Sequence, residues 1–160
     1  KSIGNEQTYE NDLVLQEDVD RQLRLLAEEV AHRLRKHGLM GRTITLKIRY
    51  NDFTTETRSE SSESIGLYTE EQLYFSARKL YAKKIRKGSV RLLGITVSKL
   101  QTAIIQDSLF AEEPTTKKRL ADEKVTTAID KLQERFGKRA VMKGFLWEAE
   151  SSVKEVKEKE

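Results

Sequence analysis

One short stretch, residues 43–50, constrains the fold of this chain more than any other segment. Apolar and polar side chains alternate strictly in it, with Ile44, Leu46, Ile48 and Tyr50 on one side and Thr43, Thr45, Lys47 and Arg49 on the other. An alternation of period two is typical of a β-strand that has one face buried and the other in water. The sequence therefore predicts a sheet with one covered face and one open face.

Two segments have apolar residues at spacings of three and four, which is typical of amphipathic helices. The first begins after Glu17-Asp18 and ends at Gly38, and the second begins at Thr69 and ends at Gly88. Their inward positions are Val19, Leu23, Leu26, Val30 and Leu34 in the first helix and Leu73, Ala77, Leu80 and Tyr81 in the second. These apolar stripes can cover the apolar face of the predicted sheet.

Three further segments are compatible with strands. They are Ser2 to Tyr9, Phe53 to Ser59 after the turn signal Asn51-Asp52, and Val90 to Lys99, whose core side would carry Leu93, Ile95 and Val97. The element order is then βαββαβ. For residues 1–101 we predict a two-layer α+β domain, in which a four-stranded antiparallel sheet is backed by two helices.

The spacing of apolar residues that predicts the strands and helices of residues 1–101 changes beyond Leu100. We expect a linker over residues 102–116, a third C-terminal helix with a short apolar patch over residues 117–147, and a disordered charged tail over residues 148–160. At the N-terminal end, residues Lys1 to Gly4 already look like part of a strand. We therefore expect the sequence to begin at an internal domain boundary.

Composition excludes several classes of protein. The 160 residues include no cysteine, which removes disulfides, cysteine-based zinc sites and thiol nucleophiles and is compatible with a reducing, cytoplasmic location. No apolar run approaches the length of a membrane span, so no membrane partner is expected. With 30 Lys and Arg against 26 Asp and Glu the net charge is +4, so an argument for an anionic partner depends on where the charges lie.

The open face of the predicted sheet is the first candidate site. Threonines, a lysine and an arginine line the strand at residues 43–50, and the last two strands add hydroxyls and cations. Such side chains donate to phosphate oxygens without reading base edges, so we predict contacts with the backbone of duplex DNA. The alternative is that they only keep a half-exposed sheet soluble. The candidate DNA-binding residues are Thr43, Thr45, Lys47, Arg49, Thr57, Arg58, Ser59, Arg91, Thr96 and Ser98.

The second candidate site is the pentad Gln106-Asp107-Ser108-Leu109-Phe110. It combines the polar Gln106 with two large apolar side chains, in a stretch that has no helix or strand pattern to bury them. It also precedes the only proline of the sequence, Pro114, so its backbone is expected to be extended. We interpret it as an exposed peptide whose Leu109 and Phe110 enter a partner's pocket. The alternative is that both side chains fold back onto their own domain.

No residue is assigned a catalytic or metal-binding role. Asp18 and Asp20 form an acidic pair at a helix N-terminus, where negative charge is stabilising without a metal. His32 and His37 are five positions apart on a helix and so do not share a face, and no third ligand is evident. We therefore predict no cofactor for this chain.

Several segments together resemble the little-finger domain of bacterial Y-family translesion DNA polymerases, the ImpB/MucB/SamB and UmuC/DinB-like group. The likeness covers about residues 1–101 and lies in Lys1 to Glu6, Leu26 to Val30, Gly38-Leu39, Gly41 to Tyr50, Asp52-Phe53, Thr57 to Ser59 and Val90 to Ile95. The resemblance implies a four-stranded sheet, backed by two helices, that lies against the major groove of primer-template DNA mainly through backbone contacts.

The resemblance extends to the tail. Gln106 to Phe110 is similar to the sliding-clamp-binding peptide that these polymerases carry after this domain, and residues 132–137 resemble the C-terminal extension of the ultraviolet-repair branch common in Gram-positive bacteria. The family's nucleotidyltransferase chemistry and its magnesium belong to acidic residues of a palm domain, which this sequence does not contain. The resemblance thus implies a DNA-binding, clamp-tethered fragment without enzyme activity of its own, from a protein of the SOS response to DNA damage.

Three alternatives from other classes stay open at this point. An RNA-recognition fold shares the βαββαβ order but stacks bases on aromatic residues of its sheet, where this chain is predicted to carry threonine and arginine. A small α+β hydrolase or transferase needs converging polar groups in a pocket. An adaptor would use only the pentad and the third helix and would bind no DNA.

Overall fold

The computed structural model of the protein describes residues 1–62, 66–84, 87–103, 125–126, 128–132 and 135–137. The chain forms two compact units, Lys1–Ile104 and Ile105–Glu160. In the second unit, residues 125–126, 128–132 and 135–136 are helical and fall within the predicted third helix. The pentad, most of the predicted linker, the apolar patch and the charged tail lie outside the described residues.

The first unit follows the predicted order of strands and helices. Its elements are β1 (Ser2–Leu13), α1 (Gln16–Lys36), β2 (Leu39–Met40), β3 (Thr43–Tyr50), β4 (Thr55–Ser61), α2 (Glu70–Ala82), β5 (Val90–Ser98) and β6 (Gln101–Thr102). An antiparallel four-stranded sheet has the order β1, β5, β3, β4, and β2 pairs with β6 in a separate ladder. The predicted α+β class is confirmed, and β2 and β6 are short strands that the sequence did not predict.

Both helices pack on the same face of the four-stranded sheet. α1 contacts β1 and β5, α2 contacts β3 and β4, and the two helices contact each other. The alternating apolar residues of β3 form the centre of the resulting core, where Leu46 and Ile48 are fully buried together with Leu23 of α1 and Leu73 of α2. Removing this apolar surface from water stabilises the two-layer packing by roughly 25 cal/mol per Å². Within residues 1–103, neither helix packs on the opposite face of the sheet.

α2 begins with the predicted cap and ends earlier than predicted. The Thr69 hydroxyl accepts from the backbone N–H of Gln72 over 3.3 Å, and the Gln72 side chain accepts from the N–H of Thr69 over 3.2 Å. The helix ends at Ala82 rather than at Gly88. Lys84 donates its backbone N–H to the carbonyl three residues earlier over 3.0 Å, so the chain tightens and leaves the α-helical path.

The turn predicted at Asn51-Asp52 joins β3 to β4. The Asp52 carboxylate accepts a hydrogen bond from the Thr54 N–H over 2.9 Å, which closes the turn. Phe53 has a φ of +64°, so it belongs to the turn and not to a strand. β4 therefore begins at Thr55, later than the predicted start at Phe53.

The ladder of β2 and β6 fixes the point at which the first unit ends. Ala103 donates its N–H to the carbonyl of Gly38 over 2.8 Å, directly after the end of α1. The Arg42 guanidinium also donates to the side-chain oxygen of Gln101 over 3.3 Å. The backbone at Ala103 is thus held beside the C-terminus of α1.

Candidate nucleic-acid interface

The strand register places the side chains of the open face in rows that run across the sheet from β1 to β4. Residues that are paired across neighbouring antiparallel strands lie on the same face. In the order β1, β5, β3, β4, the rows are Ser2, Ser98, Thr43, Ser61; Gly4, Thr96, Thr45, Ser59; Glu6, Gly94, Lys47, Thr57; and Thr8, Leu92, Arg49, Thr55. We call this set of residues the open face.

Hydroxyl groups dominate the open face. The Oγ1 atom of Thr43 lies 2.8 Å from Ser61 Oγ, and that of Thr45 lies 2.9 Å from Ser59 Oγ. These cross-strand pairs hold neighbouring hydroxyls in fixed positions at the surface. Of the predicted DNA-binding residues, the structure brings Thr43, Thr45, Lys47, Arg49, Thr57, Ser59, Thr96 and Ser98 together here.

The cations of the open face are Lys47 and Arg49, both on β3. The Lys47 Nζ atom lies 2.9 Å from Glu6 Oε2, and the Arg49 Nε donates to Thr55 Oγ1 over 3.2 Å. Arg49 therefore keeps an uncompensated charge within these rows, whereas the charge of Lys47 is matched by a carboxylate. Both groups lie at the surface, where they can donate to an anion such as a phosphate.

The prediction that Arg58 belongs to the open face is wrong. Arg58 pairs with the buried Leu46, so its side chain lies on the helix side of the sheet. Its Nε donates to Glu56 Oε1 over 2.7 Å. Neighbours in a strand point to opposite faces, so Thr57 and Ser59 cannot share a face with the residue between them.

Arg91 flanks the open face at the end of the sheet where β5 begins. Its Nε donates to Asp12 Oδ1 over 3.0 Å, and its guanidinium lies 5.0 Å from the centre of the Phe53 ring. The pairing of β5 is irregular at this point, since Leu92 is opposite Arg49 but Val90 is opposite Tyr50. Arg91 is therefore held by a carboxylate beside the rows.

The sequence analysis did not predict two features of the open face. Leu92 lies on this face, opposite Arg49, and is nevertheless only 4% exposed. The signal was present, because Leu92 and Leu93 are consecutive in a strand and cannot both face the same side. The other feature is the carboxylate of Glu6, which nothing in the local sequence connects to Lys47.

The acidic pair near the start of α1 is engaged in contacts within the protein. Asp18 accepts from Arg21 over 3.1 Å, and Asp20 accepts from the Tyr74 hydroxyl over 3.1 Å and lies 3.4 Å from Arg78 Nε. Within the part of the chain that the structure describes, no three His, Asp or Glu side chains come together as a metal site would require. The helices of that part are also not long and apolar enough to cross a membrane.

The fold and the open face define a two-layer α+β domain with hydroxyl and cationic groups on the face of the sheet opposite to its two helices. Comparison with known families gives the assignment: residues 1–109 match the "impB/mucB/samB family C-terminal domain". The chain therefore belongs to the impB/mucB/samB family, and the resemblance found over about residues 1–101 is confirmed.

The curated relatives include proteins named DNA polymerase IV. That of Desulfatibacillum aliphaticivorans is 37% identical over 142 residues, which are 86% of this chain and 34% of the relative. That of Streptococcus suis is 44% identical over 106 residues, which are 64% of this chain and 29% of the relative. The chain thus spans about a third of the length of these relatives.

Among solved structures, a complex of the beta-clamp processivity factor and the little finger domain of PolIV has a similar fold. Its TM-score is 0.53 at 23% identity, and the match covers 61% of this chain and 87% of that chain. A Y-family DNA polymerase chimera matches with a TM-score of 0.54 at 17% identity, over 62% of this chain and 28% of that chain. Both likenesses support the fold described above.

Proposed function

We propose that this chain is the DNA-holding C-terminal domain of a translesion DNA polymerase of the Y family, tethered to the bacterial sliding clamp. The observation that carries the proposal is the open face, where rows of hydroxyls surround Lys47 and Arg49 on a sheet whose other side is filled by helices. A surface of this kind donates to phosphate oxygens of primer-template DNA and does not select a base sequence.

The absence of aromatic side chains from the rows favours duplex DNA over single-stranded RNA. The RNA-recognition fold binds by stacking bases on aromatic residues at the centre of its sheet. The corresponding positions on β5 and β3 are Thr96, Gly94, Thr45 and Lys47. These residues can contact a backbone but offer no ring to a base.

The clamp contact is assigned to Gln106, Asp107, Ser108, Leu109 and Phe110, which lie outside the described residues. Support comes from the anchored backbone at Ala103, three residues before Gln106.

The whole polymerase is proposed to act in the SOS response, in the cytoplasm, with magnesium bound by the palm domain of the complete protein. For this chain we retain the proposed division into a little-finger domain (1–101), a linker with the clamp peptide (102–116), a C-terminal helix and apolar patch (117–147) and a charged tail (148–160). Nucleotidyl transfer is assigned to the complete polymerase.

The test is the salt dependence of duplex binding by the 160-residue chain, measured by fluorescence anisotropy. Lys47→Ala with Arg49→Ala should weaken binding and reduce the slope of log K against log salt by up to about 1.8, if each cation contacts one phosphate. Arg21→Ala with Arg78→Ala removes the same charge from the helix layer and is the matched control. An equal loss in both double variants would contradict the assignment to the open face.

A further inference from the structure

Glu6 supplies the carboxylate of the open face, and its position is unusual. Its Oε2 lies 2.9 Å from Lys47 Nζ, although β1 and β3 are not neighbours in the sheet. β5 runs between them, and Gly94 stands between the two residues in their row. Two strand spacings amount to roughly 9.6 Å, so only two long side chains can meet across this distance.

Gly94 is what permits the contact. A Cβ atom at this position would lie 2.9 Å from the Cβ of Glu6, closer than side-chain carbons approach each other. A side chain there would also stand in the path between the carboxylate and the ammonium group. The ion pair of Glu6 and Lys47 thus spans the backbone of Gly94 on the open face.

The pair contributes little to the stability of the fold. The side chain of Lys47 is 35% exposed and that of Glu6 is 56% exposed, and ion pairs so accessible to water are weak. Its larger consequence is electrostatic, because Glu6 cancels one of the two positive charges that the rows offer to phosphates. A surface with a smaller net positive charge attracts DNA less strongly.

We propose that Glu6 sets the affinity of the open face for DNA by competing with phosphate for Lys47; this inference rests on the proposed function. When a duplex binds, the ammonium group exchanges the carboxylate for a phosphate oxygen, and the carboxylate stays nearby and repels the backbone. The affinity of the open face for DNA is thereby kept low, which suits a surface along which a duplex must move.

Duplex binding by Glu6→Gln in the 160-residue chain tests the proposal. The variant should bind up to about fivefold more tightly at low salt, since an exposed ion pair no longer has to be broken. Its salt slope should stay close to that of the parent, since Lys47 contacts one phosphate in both complexes. Glu17→Gln, at the exposed start of α1, changes the net charge equally and should bind as the parent does.

A double variant makes the test specific to the pair. Lys47→Ala alone should weaken binding, because it removes a phosphate contact and leaves the Glu6 carboxylate unmatched. Lys47→Ala with Glu6→Gln should recover part of that loss, because the carboxylate no longer repels the backbone, while its salt slope stays about 0.9 below that of the parent. If Lys47→Ala weakens binding but Glu6→Gln neither tightens it nor rescues that loss, the role of Glu6 is overturned and the proposed function stands. If the parent itself shows no salt-dependent duplex binding, both are overturned.

Discussion

Arg58 of β4 lies opposite Leu46 of β3, and Leu46 is 0% exposed on the helix side of the sheet. The Arg58 guanidinium donates to Glu56 over 2.7 Å, and the same carboxylate accepts from the Tyr50 hydroxyl over 3.0 Å. The side chain of Glu56 is only 13% exposed. Arg58 therefore compensates a largely buried charge, on the face opposite to Arg49.

This arrangement predicts opposite phenotypes for two arginines on neighbouring strands. Arg58→Ala should lower the free energy of unfolding by about 1–3 kcal/mol, because the largely buried Glu56 carboxylate loses the hydrogen bond from Arg58, and should leave duplex affinity unchanged. Arg49→Ala should weaken duplex binding and leave stability nearly unchanged. Urea denaturation and anisotropy on both variants check this, and a larger loss of DNA affinity in Arg58→Ala would refute the assignment of faces.

Tyr9 gives a prediction about alkaline pH. Its hydroxyl is buried and has no hydrogen-bond partner among the described residues, and burial raises the pKa of the phenol. The folded state then holds this proton more tightly than the unfolded state does. The resulting contribution to stability is present below about pH 10, the unfolded value, and is lost as pH rises above it.

Tyr9→Phe should therefore be at least as stable as the parent at neutral pH, with a gain of up to about 1 kcal/mol from removing an unpaired buried group. It should also lose less stability than the parent between pH 7 and about pH 11. Urea midpoints at both pH values measure the difference. A variant that is clearly less stable at neutral pH would mean that the hydroxyl has a partner in solution.

The 160-residue chain alone should not extend a primer when it is supplied with magnesium and nucleotides. Metal-assisted phosphoryl transfer needs carboxylates held together around the ions, whereas Asp18 bonds to Arg21 and Asp20 bonds to Tyr74. A gel assay of primer extension measures this. Extension that persists through purification and disappears in Asp18→Ala would show that the acidic pair is catalytic after all.

The fold could be predicted because its main signals are local. The alternation over Thr43–Tyr50 matches β3 residue for residue, since each apolar position must reach the same core. Thr69 caps α2 as predicted, because a capping box depends on residues only three positions apart. The end of α2 is less predictable, since Lys83 and Lys84 are themselves good helix formers.

The open face could be predicted only where a strand carries its own pattern. β4 has no apolar residues, so which of Thr57, Arg58 and Ser59 face the helices depends on its pairing with β3, which the turn at Phe53 sets. The contact of Glu6 with Lys47 depends on the strand order β1, β5, β3 and on the absence of a side chain at Gly94. Such long-range relationships are not encoded in any short segment.

The pentad gives the last prediction. Leu109→Ala with Phe110→Ala should abolish binding to the bacterial sliding clamp, because recognition by a peptide concentrates in a few apolar anchors. The parent affinity should be near micromolar, since the peptide must also become ordered on binding. Asp107→Ala with Ser108→Ala changes only the proposed spacers and should retain binding in the same surface plasmon resonance assay.

The alternative to clamp binding is that Leu109 and Phe110 pack on their own protein. In that case the double variant would lower the melting temperature by several degrees and would keep its affinity for the clamp. If they are anchors, the melting temperature and the duplex affinity of the variant should equal those of the parent. A micromolar peptide is then sufficient, because DNA that passes through the clamp and lies on the open face raises the effective concentration of the second contact.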